Sequence, residues 1–298
     1  MSAWLNTYWV ERFQMTARIS SYSGRKVAFL TQHGKQYLVK DTLETALGCQ
    51  IVHTSDYDTD LLGTFTREVD RTGTQIDAAR KKARIGMQLT GANIAIASEG
   101  AFGSDPYTGF MAWDTEILLW VDREKGIEIT GLAHGPAQSE HCEVKTLQEL
   151  KEFAIKARFP EHHLVLRPDH QDHSLIFKNI IDDYSLNSAF FAAKEASTKG
   201  LVFVENDLRA FCNPTRQEII KFATKDLIQK LMSTCPRCDC AGYWRTKQIS
   251  GLLCRSCLNK TRLPVKEIWQ CPACSFEQEH TVRSAPFADP SQCDYCNP

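Results

Sequence analysis

Nine cysteines fall in the last 64 residues of the chain, and eight of them stand in four Cys-x2-Cys pairs. Each pair makes a tight turn that aims two sulfurs at one point, and two such turns complete a tetrahedron around Zn²⁺. Taken in order, Cys235 and Cys238 are followed after fifteen residues by Cys254 and Cys257, and Cys271 and Cys274 after eighteen by Cys293 and Cys296. Both sets match the spacing of a four-thiolate zinc site. Two consecutive zinc ribbons are therefore expected, at 233–266 and 267–298, each closed around a structural Zn²⁺. Cys240, on the first knuckle, reads as a spare thiol.

At 298 residues the chain has room for one large domain or two ordinary ones. With 43% apolar and 24% charged residues it has a globular composition, and its net charge of −1 does not mark it as a nucleic-acid binder. The first residues hold neither a basic leader nor an unbroken apolar segment. No stretch approaches the ~18 apolar residues of a membrane span. Paired Cys-x2-Cys motifs in such a chain favour metal over disulfides and a reducing compartment. A cytoplasmic protein with no membrane partner is expected. The sequence does not set its oligomeric state.

Residues 1–24 read as a lead-in and 25–232 as an α/β domain. KVAFLT at 26–31 is a buried-strand pattern, and a helix follows from Lys35 to Leu47 with Gly48 as its stop. A short strand at 50–53 precedes a polar stretch that is too long to be a bare connection. Thr72 or Thr74 caps a helix from Gln75 to Thr90, whose Ile76, Ala79, Ala83 and Met87 share one face. NIAIAS at 93–98 is a second buried strand, expected to end in a Glu99-Gly100 loop. Strands at 116–122 and 127–132 make a hairpin. Helices near 147–156, 189–196 and 215–232 alternate with strands near 163–166, 174–177 and 201–205. The class is α/β with a mixed sheet.

In open α/β sheets ligands sit beyond the carboxyl ends of the strands. Three polar groups should meet there. Thr31-Gln32-His33-Gly34-Lys35 is a strand-to-helix turn with a glycine and a cation, the layout of a phosphate cradle. Glu99, after a buried strand, suits a Mg²⁺ ligand or a general base. Asp58, Asp60, Glu68, Asp70 and Asp77 supply further carboxylates.

This order of elements resembles the inosine triphosphate pyrophosphatase superfamily, above all its inosine/xanthosine triphosphatase branch. The likeness rests on Thr31–Lys35, on Thr72-Gly73-Thr74 with Ala78-Ala79-Arg80-Lys81-Lys82-Ala83, on Ser98-Glu99-Gly100 and on the hairpin. It extends to the late loop Glu205-Asn206-Asp207-Leu208-Arg209 and to Asn213-Pro214-Thr215-Arg216. His33 replaces the superfamily's usual Asn, and the segment from His162 to His173 looks like an insertion. The resemblance implies a nucleotide pyrophosphatase-like fold and metal-dependent hydrolysis of a purine nucleoside triphosphate to monophosphate and pyrophosphate. It would give catalytic parts to Lys35, Glu99, Asp70 and Arg209. Thr31, His33, Gly34, Thr72, Thr74, Gly100 and Arg216 would contact the nucleotide, and Mg²⁺ would be the cofactor. The whole layout, with its paired cysteines, also resembles a bacterial family of unknown function.

A second reading is a non-catalytic nucleotide sensor or a zinc-ribbon protein that binds nucleic acid. The first expected ribbon holds Arg237, Arg245, Lys247, Arg255, Lys260, Arg262 and Lys266 against Asp239 alone. The second holds Arg283 against Glu267, Glu277, Glu279, Asp289 and Asp294. The basic first ribbon, with Tyr243 and Trp244 nearby, suits a nucleic-acid backbone.

Overall fold

The computed structural model describes residues 20–62, 73–282 and 285–298. A five-stranded mixed sheet comes first. Strand β1 (Lys26–Leu30), with four consecutive buried residues, lies between β2 (Gln50–Thr54) and β3 (Ile94–Ser104), parallel to both. A near-continuous apolar run is what a strand buried on both faces needs. Strands β4 (Ala112–Asp122) and β5 (Ile127–Pro136) continue the sheet as antiparallel neighbours, in the order β2-β1-β3-β4-β5.

Three helices cover this sheet. Helix α1 (Gln36–Leu47) buries Val39, Leu43 and Leu47, spaced four apart, and ends on Gly48, whose left-handed backbone returns its N–H to the Glu44 carbonyl. Helix α5 (Pro214–Met232) joins α1 over the core of Val27, Phe29, Ile94, Ile96, Leu118 and Trp120. It lies so close to β5 that a Cβ on Gly131 would come within 2.4 Å of the Ala223 carbonyl oxygen. Helix α2 (Gln75–Thr90) covers the opposite face with the small residues Ala79 and Ala83. Thr74 caps it in a reciprocal pair with Asp77.

A second, wholly antiparallel sheet has the order β6-β9-β7-β8: β6 (His141–Val144), β9 (Val202–Asn206), β7 (Leu164–Pro168) and β8 (Phe177–Ile180). Its own core includes residues of α3 (Leu147–Lys156) and α4 (Asp183–Ala196). The segment read as an insertion therefore supplies β7, an inner strand of this sheet.

The α/β class with a mixed sheet holds. Some expectations change: the strand expected near 174–177 lies at Phe177–Ile180, the helix near 189–196 starts at Asp183, and Glu99 and Gly100 are not a loop but lie inside β3, which runs on to Ser104 and pairs along its whole length with β4. Antiparallel pairing with a long partner carries the strand past the point where its apolar run stops.

The C-terminal residues form one three-stranded antiparallel sheet: β10 (Trp244–Ser250), β11 (Pro264–Gln270) and β12 (Glu277–Thr281). Its base is fused to the main domain. Cys235, Cys240, Ala241, Tyr243 and Cys271 belong to the same core as Ile129, Leu227 and Leu231. Among the described residues no helix is long and apolar enough to cross a membrane.

Candidate functional site

The cysteines group as Cys235, Cys238, Cys271 and Cys274, and as Cys254, Cys257, Cys293 and Cys296. This corrects the consecutive sets expected from spacing. The first knuckle precedes β10 and the third follows β11. Because β10 and β11 are antiparallel neighbours, these two knuckles meet at one end of the sheet. The second knuckle sits at the β10–β11 turn, and the chain after β12 returns the fourth to it. The two four-cysteine groups are thus interleaved, one at each end of one sheet.

Both sets fit zinc. Four sulfurs about 2.3 Å from a tetrahedral Zn²⁺ lie about 3.8 Å apart. Cys235 Sγ is 3.8 Å from Cys274 Sγ and Cys238 Sγ 3.6 Å from Cys271 Sγ. At the far end Cys254 Sγ is 3.9 Å from Cys296 Sγ and Cys257 Sγ 3.6 Å from Cys293 Sγ. Backbone hydrogen bonding at Cys257 draws the Cys254 thiol down to about 7, whereas hydrogen bonding with the Cys257 thiol pushes Cys296 up to about 12. Four thiols this close cannot all ionise without a cation among them.

Interleaving also answers the charge asymmetry. Arg245 pairs with Glu267 at 2.6 Å, Lys266 with Glu279 at 2.6 Å and Arg262 with Asp294 at 2.8 Å. Acids of the second half lie against bases of the first, so the basic charge expected of the first ribbon is partly neutralised from within.

The second site lies where β1 and β3 project towards α1. Lys35, at the α1 N-cap, is 7% exposed. Its ammonium donates to Ser98 Oγ at 3.0 Å and sits 3.6 Å from Glu116 Oε2. Arg216, on α5, donates through Nε to Glu116 Oε1 at 2.6 Å and through Nη1 to the Leu208 carbonyl at 2.5 Å. On the other face of β3, Glu99 meets Lys82 of α2 at 2.5 Å. Burial pushes Lys35 down to about 8 against the pull of Glu116. A displaced titratable group at a strand end makes this cluster a candidate site, although structural ion-pair networks shift such groups too.

Asp114 stands two residues before Glu116 on β4, so both project to the face under α5. It is 1% exposed, and neither carboxylate oxygen has a hydrogen-bond partner among the described residues. Burial, then the Glu116 charge, pushes it up to about 7 from 3.8. Between those values the folded chain keeps a proton that the unfolded chain has released, so stability falls as pH rises through this window. Asp114→Asn should remove that slope. Relative to the wild type, the variant should gain on the order of a few kcal/mol between about pH 4 and 7, read from urea midpoints.

Of the residues expected from sequence, Lys35, Gly100 and Arg216 come together around Glu116, while Glu99 lies on the other face of β3 with Lys82. Gly100 serves the ion pair: a Cβ there would lie 2.2 Å from Glu116 Oε1 and 2.4 Å from Arg216 Nη2. Thr31 is buried at the end of β1, where His53 Nε2 lies 2.9 Å from its carbonyl. Gly34 takes the left-handed turn (φ 71°) that starts α1. His33 turns aside, 2.8 Å from Asp60 and stacked on Phe211. Arg209 clasps Asp207, with its Nε 3.0 Å from Oδ1. Thr74 is exposed and occupied as a helix cap. Asp70 and Thr72, with Glu68, lie outside the described residues.

Sequence reasoning missed Glu116 and Asp114 as site residues, and Lys82 as a partner of Glu99. The signal was there: two acids at alternate positions of a strand that is otherwise apolar (WDTEILLW) must share one buried face.

No curated protein and no solved structure matches the chain significantly. A family model described as "Domain of unknown function (DUF6671)" matches residues 82–298. That span takes in Lys82, Glu99, Asp114, Glu116, Arg216 and all eight paired cysteines, and begins after Lys35. The chain belongs to the DUF6671 family.

Proposed function

We propose that this protein hydrolyses a purine nucleoside triphosphate to the monophosphate and pyrophosphate. The observation that carries the reading is the buried Lys35 ammonium beyond the carboxyl end of β1, within reach of Ser98 and Glu116 and with its pKa drawn down to about 8. An ammonium so poorly solvated gains most from an anionic ligand that arrives beside it. Lys82, 15% exposed along its side chain, supplies a second cation near the strand ends.

In this reading Lys35 and Lys82 hold the triphosphate oxygens and neutralise charge as it develops on the departing pyrophosphate. Arg216 acts through Glu116, whose position it fixes. Glu99 has one oxygen on Lys82 and is suited to share a Mg²⁺ with substrate phosphates, the usual way that ion is held. When bound, Mg²⁺ would add positive charge between phosphate oxygens.

Protein loaded with Mg²⁺ is expected to release pyrophosphate from a purine nucleoside triphosphate, inosine or xanthosine triphosphate first among them. Glu99→Gln keeps the shape and removes the charge, and kcat should fall on the order of 10². Lys35→Ala should weaken both binding and turnover. A panel of nucleoside triphosphates left intact by the wild type would refute hydrolysis. Tight binding of an intact nucleotide would leave a sensor.

A further inference from the structure

Asp114 has no task in the scheme above, yet it is the most unusual group in the cluster. A buried carboxylate normally accepts several hydrogen bonds from protein donors. Asp114 is 1% exposed and accepts none among the described residues. Its two oxygens offer about four acceptor sites. A donor brought in from outside, such as a water, belongs there.

Its surroundings are well defined. Across the sheet Asp114 pairs with Phe102 on β3 and Gly135 on β5, neither of which titrates. Glu116 faces it from β4, Arg216 from α5 and Lys35 from the start of α1. Glu116 is already held by both cations. Phe102 forms the wall between this cluster and an open cleft of about 320 Å³, also lined by Ala112, Leu208 and Phe110. The Arg216 guanidinium lies 5.6 Å from the Phe102 ring and donates to the Leu208 carbonyl, so the cleft backs directly on the charged cluster. Asp114 thus lies in the charged cluster behind that wall, with Lys35, one of the two cations that would hold the phosphates.

We infer that Asp114 is the general base of the proposed hydrolysis, taking a proton from the water that attacks the α-phosphorus. This rests on the reading given under Proposed function. The O–H bond of water breaks and its proton goes to an Asp114 oxygen. The water oxygen bonds to the α-phosphorus. The bond from that phosphorus to the α–β bridging oxygen breaks, and pyrophosphate leaves with the electron pair. Asp114 then returns its proton to solvent. Burial beside Glu116 holds the carboxyl near pH 7, where a base combines a useful deprotonated fraction with a strong pull on the proton.

The test uses the full zinc-loaded chain with Mg²⁺ and the most readily hydrolysed nucleoside triphosphate. For the wild type, kcat should fall about tenfold per pH unit below about pH 7. Asp114→Asn should lower kcat by 10² to 10⁴, on the order expected for a lost base, and abolish that acid limb, while KM changes only a few-fold. Asp114→Glu should keep an acid limb with its midpoint moved. Infrared titration of the wild type should show a protonated carboxyl band that disappears near pH 7 and is absent in Asp114→Asn. If the wild type turns over and Asp114→Asn matches it in rate and pH profile, Asp114 is not the base although the hydrolase reading stands. If the wild type hydrolyses nothing, both fall. Asp114→Glu keeps a carboxyl in place and serves even if Asp114→Asn fails to fold: an acid limb of kcat whose midpoint does not move in Asp114→Glu would overturn the inference.

Discussion

A chain with Cys235, Cys238, Cys271 and Cys274 all changed to serine should still hold one Zn²⁺. A chain with Cys235, Cys238, Cys254 and Cys257 changed should hold none. The two variants remove the same number of thiols, and only the interleaved pairing separates them. The first loses the site at the base of the sheet and keeps the distal one whole. The second takes two ligands from each site. Consecutive ribbons would give the opposite result, with zinc lost from the first variant and one ion kept by the second. Zinc analysis of the purified proteins decides it, and the outcome is all or none because a half-site of two thiolates does not close a tetrahedron.

The two sites should differ in how far their loss spreads. Structural zinc in small modules contributes on the order of 10 kcal/mol or more of folding free energy. At the base that energy is tied to the main core, because Cys235 and Cys271 pack with Tyr243, Ile129 and Leu231. Cys271→Ser should therefore lower the thermal midpoint of the α/β domain as well. Cys254→Ser, at the distal end, should release one Zn²⁺ and leave that midpoint close to the wild type. Equal effects from both would mean that the base of the sheet is not fused to the core.

The cysteine motifs show why one part of the fold was legible and another was not. A Cys-x2-Cys spacing specifies a local turn, so all four knuckles could be read from the chain. Which knuckles meet is set by the antiparallel pairing of β10 with β11 and β11 with β12, a long-range fact that spacing does not carry. The opposite charges of the two halves were visible, and their meaning was cross-strand pairing, as Arg245–Glu267 and Lys266–Glu279 show. In the α/β domain, Lys35 and Glu99 stood out because each follows an apolar strand core. Glu116 and Asp114 were hidden inside β4, where the apolar residues Ile117–Val121 dominate the pattern. Lys82 was hidden differently, on a helix face that reads as solvated until Glu99 is found opposite it.

Arg216→Met should be among the most destabilising changes outside the zinc sites, by about 3–5 kcal/mol. Arg216 is 2% and Glu116 0% exposed along the side chain, and their 2.6 Å contact bridges α5 to β4, an inner strand of the main sheet. Removing the guanidinium leaves Glu116 buried beside Asp114, with Lys35 at 3.6 Å as its remaining cation. Two acids and one cation in a dry site cannot all stay ionised, so the loss should grow above pH 7, where Asp114 would otherwise deprotonate. The companion change separates an unpaired charge from lost packing. Glu116→Gln with Arg216→Met removes both members of the pair and should recover much of the stability, because a buried pair replaced by groups of similar volume is often neutral. A double-mutant cycle from urea midpoints at constant m-value gives the coupling. Single and double variants equally destabilised would show that Arg216 acts by filling space between α5 and Phe102. Recovery in the double variant without return of turnover would separate what this pair does for the fold from the placing of Glu116 beside Lys35.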